Sequence, residues 1–357
     1  MHPTQYFGAA LIAAALCALP PASLPGEALV PVQPPSYSVT DLGPIANVAD
    51  DVALDVGDDG GVSLYVAVGT QVRAARWRDG KMLVLKPAPG YRNSVARATN
   101  GLGDLAGWSS TSANPVDSLA TTRAFLYRQK KTTMLGTLGG RNSRAFDVSD
   151  GGEVVGVADV DAHISHAFLA HGAALQDLGV LPGGSFSAAY AINAAGEVVG
   201  VADTARFVRR AVAWRNGKII DLGALPGGTS SCALAVNNHG DIAGYSETQD
   251  GVHAFLYTQG RMQDLGALKF DPSSASAIND RGEVVGASSV SAHGRRAFLW
   301  REGRMEDLNT RIASDSGWTL TSASSISNSE KIVCSGSRRG EPNHALLLTS
   351  VSSKTNP

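Results

Sequence analysis

The chain has 357 residues, 43% of them hydrophobic and 17% charged, with forty glycines and a formal net charge of −2. That composition suits a globular protein with a sizeable core and many tight turns, and it argues against disorder outside the ends. Near-neutral charge without a basic run provides no field to gather polyanions, so nucleic acid and anionic membrane surfaces are poor partners.

The chain opens on an apolar block, AALIAAALCAL at residues 9–19, followed by Pro20, Pro21 and the small-residue stretch Gly26-Glu27-Ala28. This is the layout of a signal peptide, and cleavage after Ala28 is expected. The block is shorter than the ~20 apolar residues a bilayer span needs, so no membrane span is expected once it is removed. Residues 29–36 read as a short linker. Cys17 leaves with the leader, and the remaining two cysteines, Cys232 and Cys334, fall in non-adjacent units, which favours separate buried thiols over a disulfide.

Residues 37–43 (YSVTDLG) resemble the last strand of a unit whose first three strands are missing. The next stretch, DDVALDVGDDGGVSLYVAVG at 50–69, fits the later pattern poorly. From there one motif recurs: AARWRDGKMLVLK (74–86), AFLYRQKKTTMLG (124–136), AFLAHGAALQDLG (167–179), AVAWRNGKIIDLG (211–223), AFLYTQGRMQDLG (254–266), AFLWREGRMEDLN (297–309) and a final half-copy, HALLLTS (344–350). Aligned on Trp77, Tyr127, Ala170, Trp214, Tyr257, Trp300 and Leu348, the copies are spaced by 50, 43, 44, 43, 43 and 48 residues. A period of that size indicates radially arranged or stacked units.

Each unit reads as four short strands. In the copy from Ala275 to Asn309 these are ASAIND, RGEVVGAS, RAFLW and RMEDLN. Asp79-Gly80, Asn216-Gly217, Gln259-Gly260 and Glu302-Gly303 supply the positive φ that a two-residue hairpin demands between the third and fourth strands. The first strands (SAAYAIN, SSCALAVN, SSASAIN, TSASSIS) are rich in Ala and Ser, as needed where strands converge on an axis. The second and third strands carry consecutive apolar residues, the mark of sheets covered on both faces. These features predict an all-β, seven-bladed β-propeller of four-stranded antiparallel blades over residues 37–350. The orphan strand at 37–43 should complete the last blade and close the ring, leaving 351–357 as a disordered tail.

The motifs HAFLA (166–170), HAFLY (253–257), DLGxLPGG at 177–184 and 221–228, and the IN–GEVVG pattern at 192–200 and 278–286 resemble the bacterial extracellular HAF-repeat family over about residues 37–350. The resemblance implies an extracellular or periplasmic repeat protein, and it implies no reaction. Glu330 and Cys334 depart from the pattern by standing where the other units have glycines.

One aligned position is basic or imidazole in all seven units: Arg73, Arg123, His166, Arg210, His253, Arg296 and His344. Eleven residues on stand Asp177, Asp221, Asp264 and Asp307, and ring closure would give Asp41 to His344. A charge-assisted bond across the hairpin is expected, and its repetition marks it as architecture, since a catalytic pair is needed once. The acidic cluster Asp50, Asp51, Asp55, Asp58 and Asp59 lacks full calcium-loop spacing, so it reads as a solvated turn and no metal is expected. The Leu-Pro-Gly-Gly segments lack the lysine of a phosphate loop, there is no G-x-S-x-G elbow or H-E-x-x-H pair, and no cofactor is expected.

Binding residues are therefore sought on the loops of one face, where blade crossings and the connections between second and third strands emerge together. Trp108, His163, Arg206, Tyr245 and His293 are the candidates. The leading expectation is a monomeric, secreted or periplasmic binding propeller for a protein, glycan or cell-surface ligand. The alternative is a propeller enzyme of glycan hydrolase, lyase or cyclase type at the loop face or channel mouth, with His163, His293, Arg206 and the pair Asp159/Asp161 as its first suspects.

Overall fold

The computed structural model describes residues 36–44, 55–112, 120–292 and 294–351. The leader, residues 29–35 of the linker, Asp50, Asp51, His293 and residues 352–357 lie outside them, whereas Ser36 and Val351, read from sequence as linker and tail, are strand residues that pair with each other. Among the described residues there are seven four-stranded antiparallel sheets and two short 3-10 turns. In blades 1 to 6 the four strands follow in chain order. In blade 7 the order is Ser36–Pro44, His344–Val351, Ile332–Ser337, Thr319–Ile326. The N-terminal strand thus supplies the outer strand of the last blade, pairing Tyr37 with Ser350, Val39 with Leu348 and Asp41 with Leu346. The fold is a seven-bladed β-propeller.

The first strands run closest to the axis: Asp55–Val56, Asn93–Thr99, Ser143–Val148, Ser187–Ile192, Ser231–Val236, Phe270–Ile278 and Thr319–Ile326. The poorly matching first unit adopts the common geometry. Its Gly57–Gly61 turn is closed by Gly57 N–H to Gly61 O, as Asn193 N–H closes onto Glu197 O in blade 4. Glu330 takes the left-handed φ of 59° that glycines take in the equivalent turns. In five of the six hairpins between third and fourth strands both central residues have positive φ, as at Asn216 (52°) and Gly217 (71°); in blade 3 only Gly172 (69°) does.

The repeat signature has a physical reading at each position. The phenylalanine of the AF motif fills the space between blades, with Phe125, Phe168, Phe255 and Phe298 fully buried. The amide of the preceding alanine donates to a serine hydroxyl on the next blade's first strand, as Ala167 does to Ser187 and Ala211 to Ser231. Those hydroxyls in turn donate to the glycine carbonyl of the Asp-Leu-Gly motif, Ser187 to Gly179 and Ser231 to Gly223. One serine therefore ties two strands of its neighbour, and the Ala/Ser-rich inner strand is explained by bonding as well as by crowding.

The basic positions divide. His166 Nδ1 donates to Asp177 at 2.9 Å, Arg210 Nε to Asp221 at 3.2 Å, His253 Nδ1 to Asp264 at 2.8 Å and His344 Nδ1 to Asp41 at 2.9 Å. Each aspartate also accepts the amide of the glycine two residues on, which fixes the turn into the next blade. The expected pairing fails at Arg296. In blade 6 the motif reads DLN, and Asp307 accepts from the Asn309 amide and side chain while capping the 3-10 turn Leu308–Arg311. Arg296 donates to the Arg295 carbonyl instead. Arg73, which faces no aspartate, donates to the Arg92 carbonyl and Gln71. Met134 stands where Arg123 would need an acid.

At His253 burial opposes the charge, but the carboxylates of Asp264 and Asp271 outweigh it and raise its pKa above the ordinary imidazole value. Both ring nitrogens donate to carboxylates, Nε2 reaching Asp271 at 2.6 Å, so the imidazolium is the form held. Because the folded pKa is raised, this contribution is fully present below the ordinary value of 6.5 and fades as pH rises through the folded value. His253→Ala is expected to lower unfolding free energy by about 1 kcal/mol at pH 6, and by less at pH 9, in denaturant titrations. Equal stability of variant and wild type at pH 6 would remove the structural role.

Candidate functional site

Every inner strand of blades 2 to 7 carries a β-bulge just before its turn. The register slips between Ala96 and Ala98, Ala145 and Asp147, Ala189 and Ala191, Ala233 and Ala235, Ala275 and Ala277, and Ala323 and Ser325. A bulge leaves one residue unpaired and re-aims its side chain. The six residues at which the register slips, Arg97, Phe146, Tyr190, Leu234, Ser276 and Ser324, all line one central cavity of about 780 Å³ to which all seven blades contribute. The bulge also brings the inner strand against the second strand. A Cβ on Gly200 would stand 2.0 Å from the Ala188 carbonyl oxygen, and Gly107, Gly156, Gly244 and Gly286 are equally confined. Blade 7 has a second bulge between Leu320 and Ser322, and its close approach falls at Gly336, which leaves room for buried Cys334.

The cavity is two-sided. Trp108, Phe146, Tyr190 and Tyr245 line it on blades 2 to 5, while Ser274, Ser276, Ser322, Ser324 and Ser335 line it on blades 6 and 7. Phe146 and Tyr190 stack at 5.4 Å between centroids, 28° from parallel, and Trp108 meets Phe146 edge-on at 6.2 Å. The Arg144 guanidinium lies 5.7 Å from the Trp108 ring centre. The Trp108 indole N–H is buried without a hydrogen-bond partner among the described residues. Burial pushes the Cys232 thiol up to about 12, and the neighbouring Cys232 is the largest of the influences that raise the Tyr245 phenol, so neither is a nucleophile at neutral pH. Cys232 and Cys334 are both free, in different blades.

Asp55, Arg97 and Asp147 are ionisable residues of the wall. Asp147 accepts the amides of Val148 (2.7 Å) and, from the next blade, Ile192 (2.8 Å). Asp55 accepts the Thr99 amide (2.9 Å) and the Ser325 hydroxyl (2.6 Å), bridging three blades. Enclosure drives the Asp147 carboxyl up to about 7 and the Asp55 charge adds to this; the two amides and Arg97 pull it back. The folded state therefore holds a proton that the unfolded chain releases between the ordinary value of 3.8 and about 7, and stability falls as pH rises across that window. Asp147→Asn is expected to lack this decline, so that its melting temperature gains on the wild type between pH 5 and pH 8. Parallel melting profiles would contradict the assignment.

At one mouth of the cavity the turns between first and second strands form a ring. The Asn193 side chain donates to Asn237 O, Asn237 to Asn279 O and Asn279 to Ser327 O. Outside these, the amides of Ala194, Asn238, Asp280 and Asn328 donate in turn to Asn238, Asp280, Asn328 and Asp58. This ring was not foreseen from sequence, although the Asn or Asp recurring in these turns is its signal. It also disperses the acidic cluster. Asp55 sits in the channel wall, Asp58 holds Asn328, and Asp59 pairs with Arg76 (2.5 Å) and Arg78 (2.9 Å).

The five candidate binding residues separate. Trp108 and Tyr245 are not on loops, a correction to the sequence reading. They lie within the second strands Leu105–Ser110 and Ile242–Glu247 and line the cavity. The strands outrun the short apolar cores that marked them, Leu105-Ala106-Gly107 and Ile242-Ala243-Gly244, so residues just beyond the glycine were read as loop. His163 and Arg206 do stand on exposed turns between second and third strands, and His293 lies outside the described residues. Asp161 accepts the amides of His163 and Ile164, and Asp159 accepts from Asn142 and Ser165, so both suspected catalytic acids are turn-holding groups.

No family model matches the chain, and no curated protein does. Among solved structures it is similar to the β-propeller domain of the trilobed protease from Pyrococcus furiosus, described as having an open velcro topology, at 10% identity and a TM-score of 0.55 over 90% of this chain and 100% of that one. It is also similar to a puromycin-hydrolysing peptidase of Mycobacterium tuberculosis (15% identity, TM-score 0.54, 89% of this chain and 55% of that chain). A third likeness is YCF48 bound to D1 peptide (11% identity, TM-score 0.52, 90% and 97%). At these identities the likeness shows the fold alone. The closed last blade distinguishes this chain from the first of them.

Proposed function

We propose that the protein is an exported, non-catalytic binding propeller of the HAF-repeat kind, and that its ligand seats in the axial channel. The carrying observation is the row of bulge residues. Six of seven inner strands spend a bulge to place one side chain in the cavity, and those side chains are of five kinds, serine alone recurring, while the surrounding framework repeats. Repeated residues serve the scaffold, and a wall that varies within it is where specificity is written. Export is supported by the leader-like segment at the start of the sequence.

The enzyme reading would draw on Asp55 and Asp147 in the same cavity. Against it, both carboxylates are held by amides or hydroxyls of neighbouring blades, a use that explains their presence without chemistry.

The proposal is tested by ligand-induced thermal stabilisation of the protein with extracellular and envelope glycan extracts. Stabilisation should be lost in Phe146→Ala and retained in Arg206→Ala. The reverse pattern would move the site to the exposed loops, and reproducible turnover would replace binding with catalysis.

A further inference from the structure

We infer that the channel takes a short neutral oligosaccharide, its sugar rings laid against Phe146 and Tyr190 and its hydroxyls directed at the serines of blades 6 and 7. This rests on the channel-binding reading above and adds the ligand class.

A pyranose ring has two chemically different aspects, a face of polarised C–H groups and a rim of hydroxyls. The cavity has the matching pair of walls. The stacked Phe146–Tyr190 platform, extended by Trp108 edge-on, offers electron-rich π faces to C–H groups. Opposite stand Ser274, Ser276, Ser322, Ser324 and Ser335, short hydroxyls that both donate and accept. An apolar ligand would cover those hydroxyls without replacing their bonds to water, at a cost that polar groups incur whenever they are buried unpaired. A polyol satisfies them.

Charge narrows the class. An anionic ligand entering past the turn ring would meet Asp58, Asp150 and Asp280 at the mouth and Asp55 inside. A cationic one would meet Arg97 and Arg295, which are also among the lining residues. Neutral vicinal hydroxyls suit both kinds of side chain, since carboxylates accept and guanidiniums donate in paired geometry. The volume of about 780 Å³ lies within the ~300–1,000 Å³ range of small-ligand sites, enough for a short oligosaccharide and far too small for a folded partner.

The test uses the full chain against labelled neutral di- to tetrasaccharides of glucose, galactose, mannose and N-acetylglucosamine. Uronate-containing oligosaccharides and an arginine-rich peptide run beside them. Binding is measured for wild type, Phe146→Ala, Tyr190→Ser, Ser276→Val and Arg206→Ala, each first shown to melt cooperatively. The expected result is binding of at least one neutral oligosaccharide, weakened about tenfold or more by changes on either wall and unchanged in Arg206→Ala. Binding of only the uronates or the peptide, still lost in Phe146→Ala, would overturn the neutral-oligosaccharide class and leave channel binding standing. Neutral-sugar binding that is lost only in Arg206→Ala would overturn both. Absence of binding to every neutral sugar would overturn the inference, whatever the extracts show.

Discussion

Removing residues 36–44 should cost about 3 kcal/mol or more, from full burial of Tyr37 and partial burial of Val39 and Leu42 on a scale of ~1.5–3 kcal/mol for a fully buried side chain, and should break up the cooperative melt. Tyr37 is 5% exposed and belongs to the core of the last blade with Trp318, Leu320 and Leu348. Burial, with the charges of Glu283 and Glu330, pushes its phenol up to about 12, a measure of how far it is withdrawn from solvent. Val39 packs on the same core, and Leu42 packs on the cluster shared with blade 1. The deletion also strips His344 of Asp41 and leaves His344–Val351 as an unpaired edge, open to association with other chains. Calorimetry and light scattering read both effects. A deletion variant that melts cooperatively at the wild-type temperature would show that the ring does not depend on this closure.

Gly200→Ala should be among the most damaging single methyls in the chain's repeating framework, costing about 3 kcal/mol or more. The added Cβ would meet the Ala188 carbonyl oxygen at 2.0 Å and the Ala189 Cα at 3.0 Å, both backbone atoms of the bulged inner strand, so relief requires the bulge itself to move. Gly196→Ala is the matched control. Nothing lies within 4 Å of a Cβ there, and only its φ of +75° opposes substitution, a cost of about 1 kcal/mol. Denaturant midpoints of the two variants therefore separate crowding from backbone strain. Equal losses would mean that the bulge yields freely and does not fix the wall. Because the bulge aims Tyr190 into the channel, Gly200→Ala should also impair ligand binding at temperatures where the variant remains folded.

The architecture was legible because each of its rules is written several times. Hairpin glycines recur at one offset, inner strands share their Ala and Ser, and the half-blades at 37–43 and 344–350 complement each other. The His–Asp pairing was legible for the same reason, and it failed at Arg296 because one residue, Asn309 in place of glycine, recruits Asp307 to a 3-10 turn. The channel wall was hidden by strand periodicity. In SAAYAIN a period of two places Ala188, Tyr190 and Ile192 on one face, whereas the register slip at Tyr190 re-aims it to the channel. A signal existed, since Arg97, Phe146, Tyr190, Leu234, Ser276 and Ser324 form the most varied column of the most uniform strand. Trp108 and Tyr245 were picked out for their chemistry but assigned to loops, because strand ends are set by pairing that sequence does not display.

The most direct test of the account is hydroxyl-radical footprinting of the protein with and without a saturating oligosaccharide ligand. Protection concentrated on Trp108, Phe146, Tyr190 and Tyr245, with Arg206 and Phe207 unchanged, is the predicted result. Protection of Phe207 and the neighbouring exposed turn, with the four channel aromatics unchanged, would contradict it.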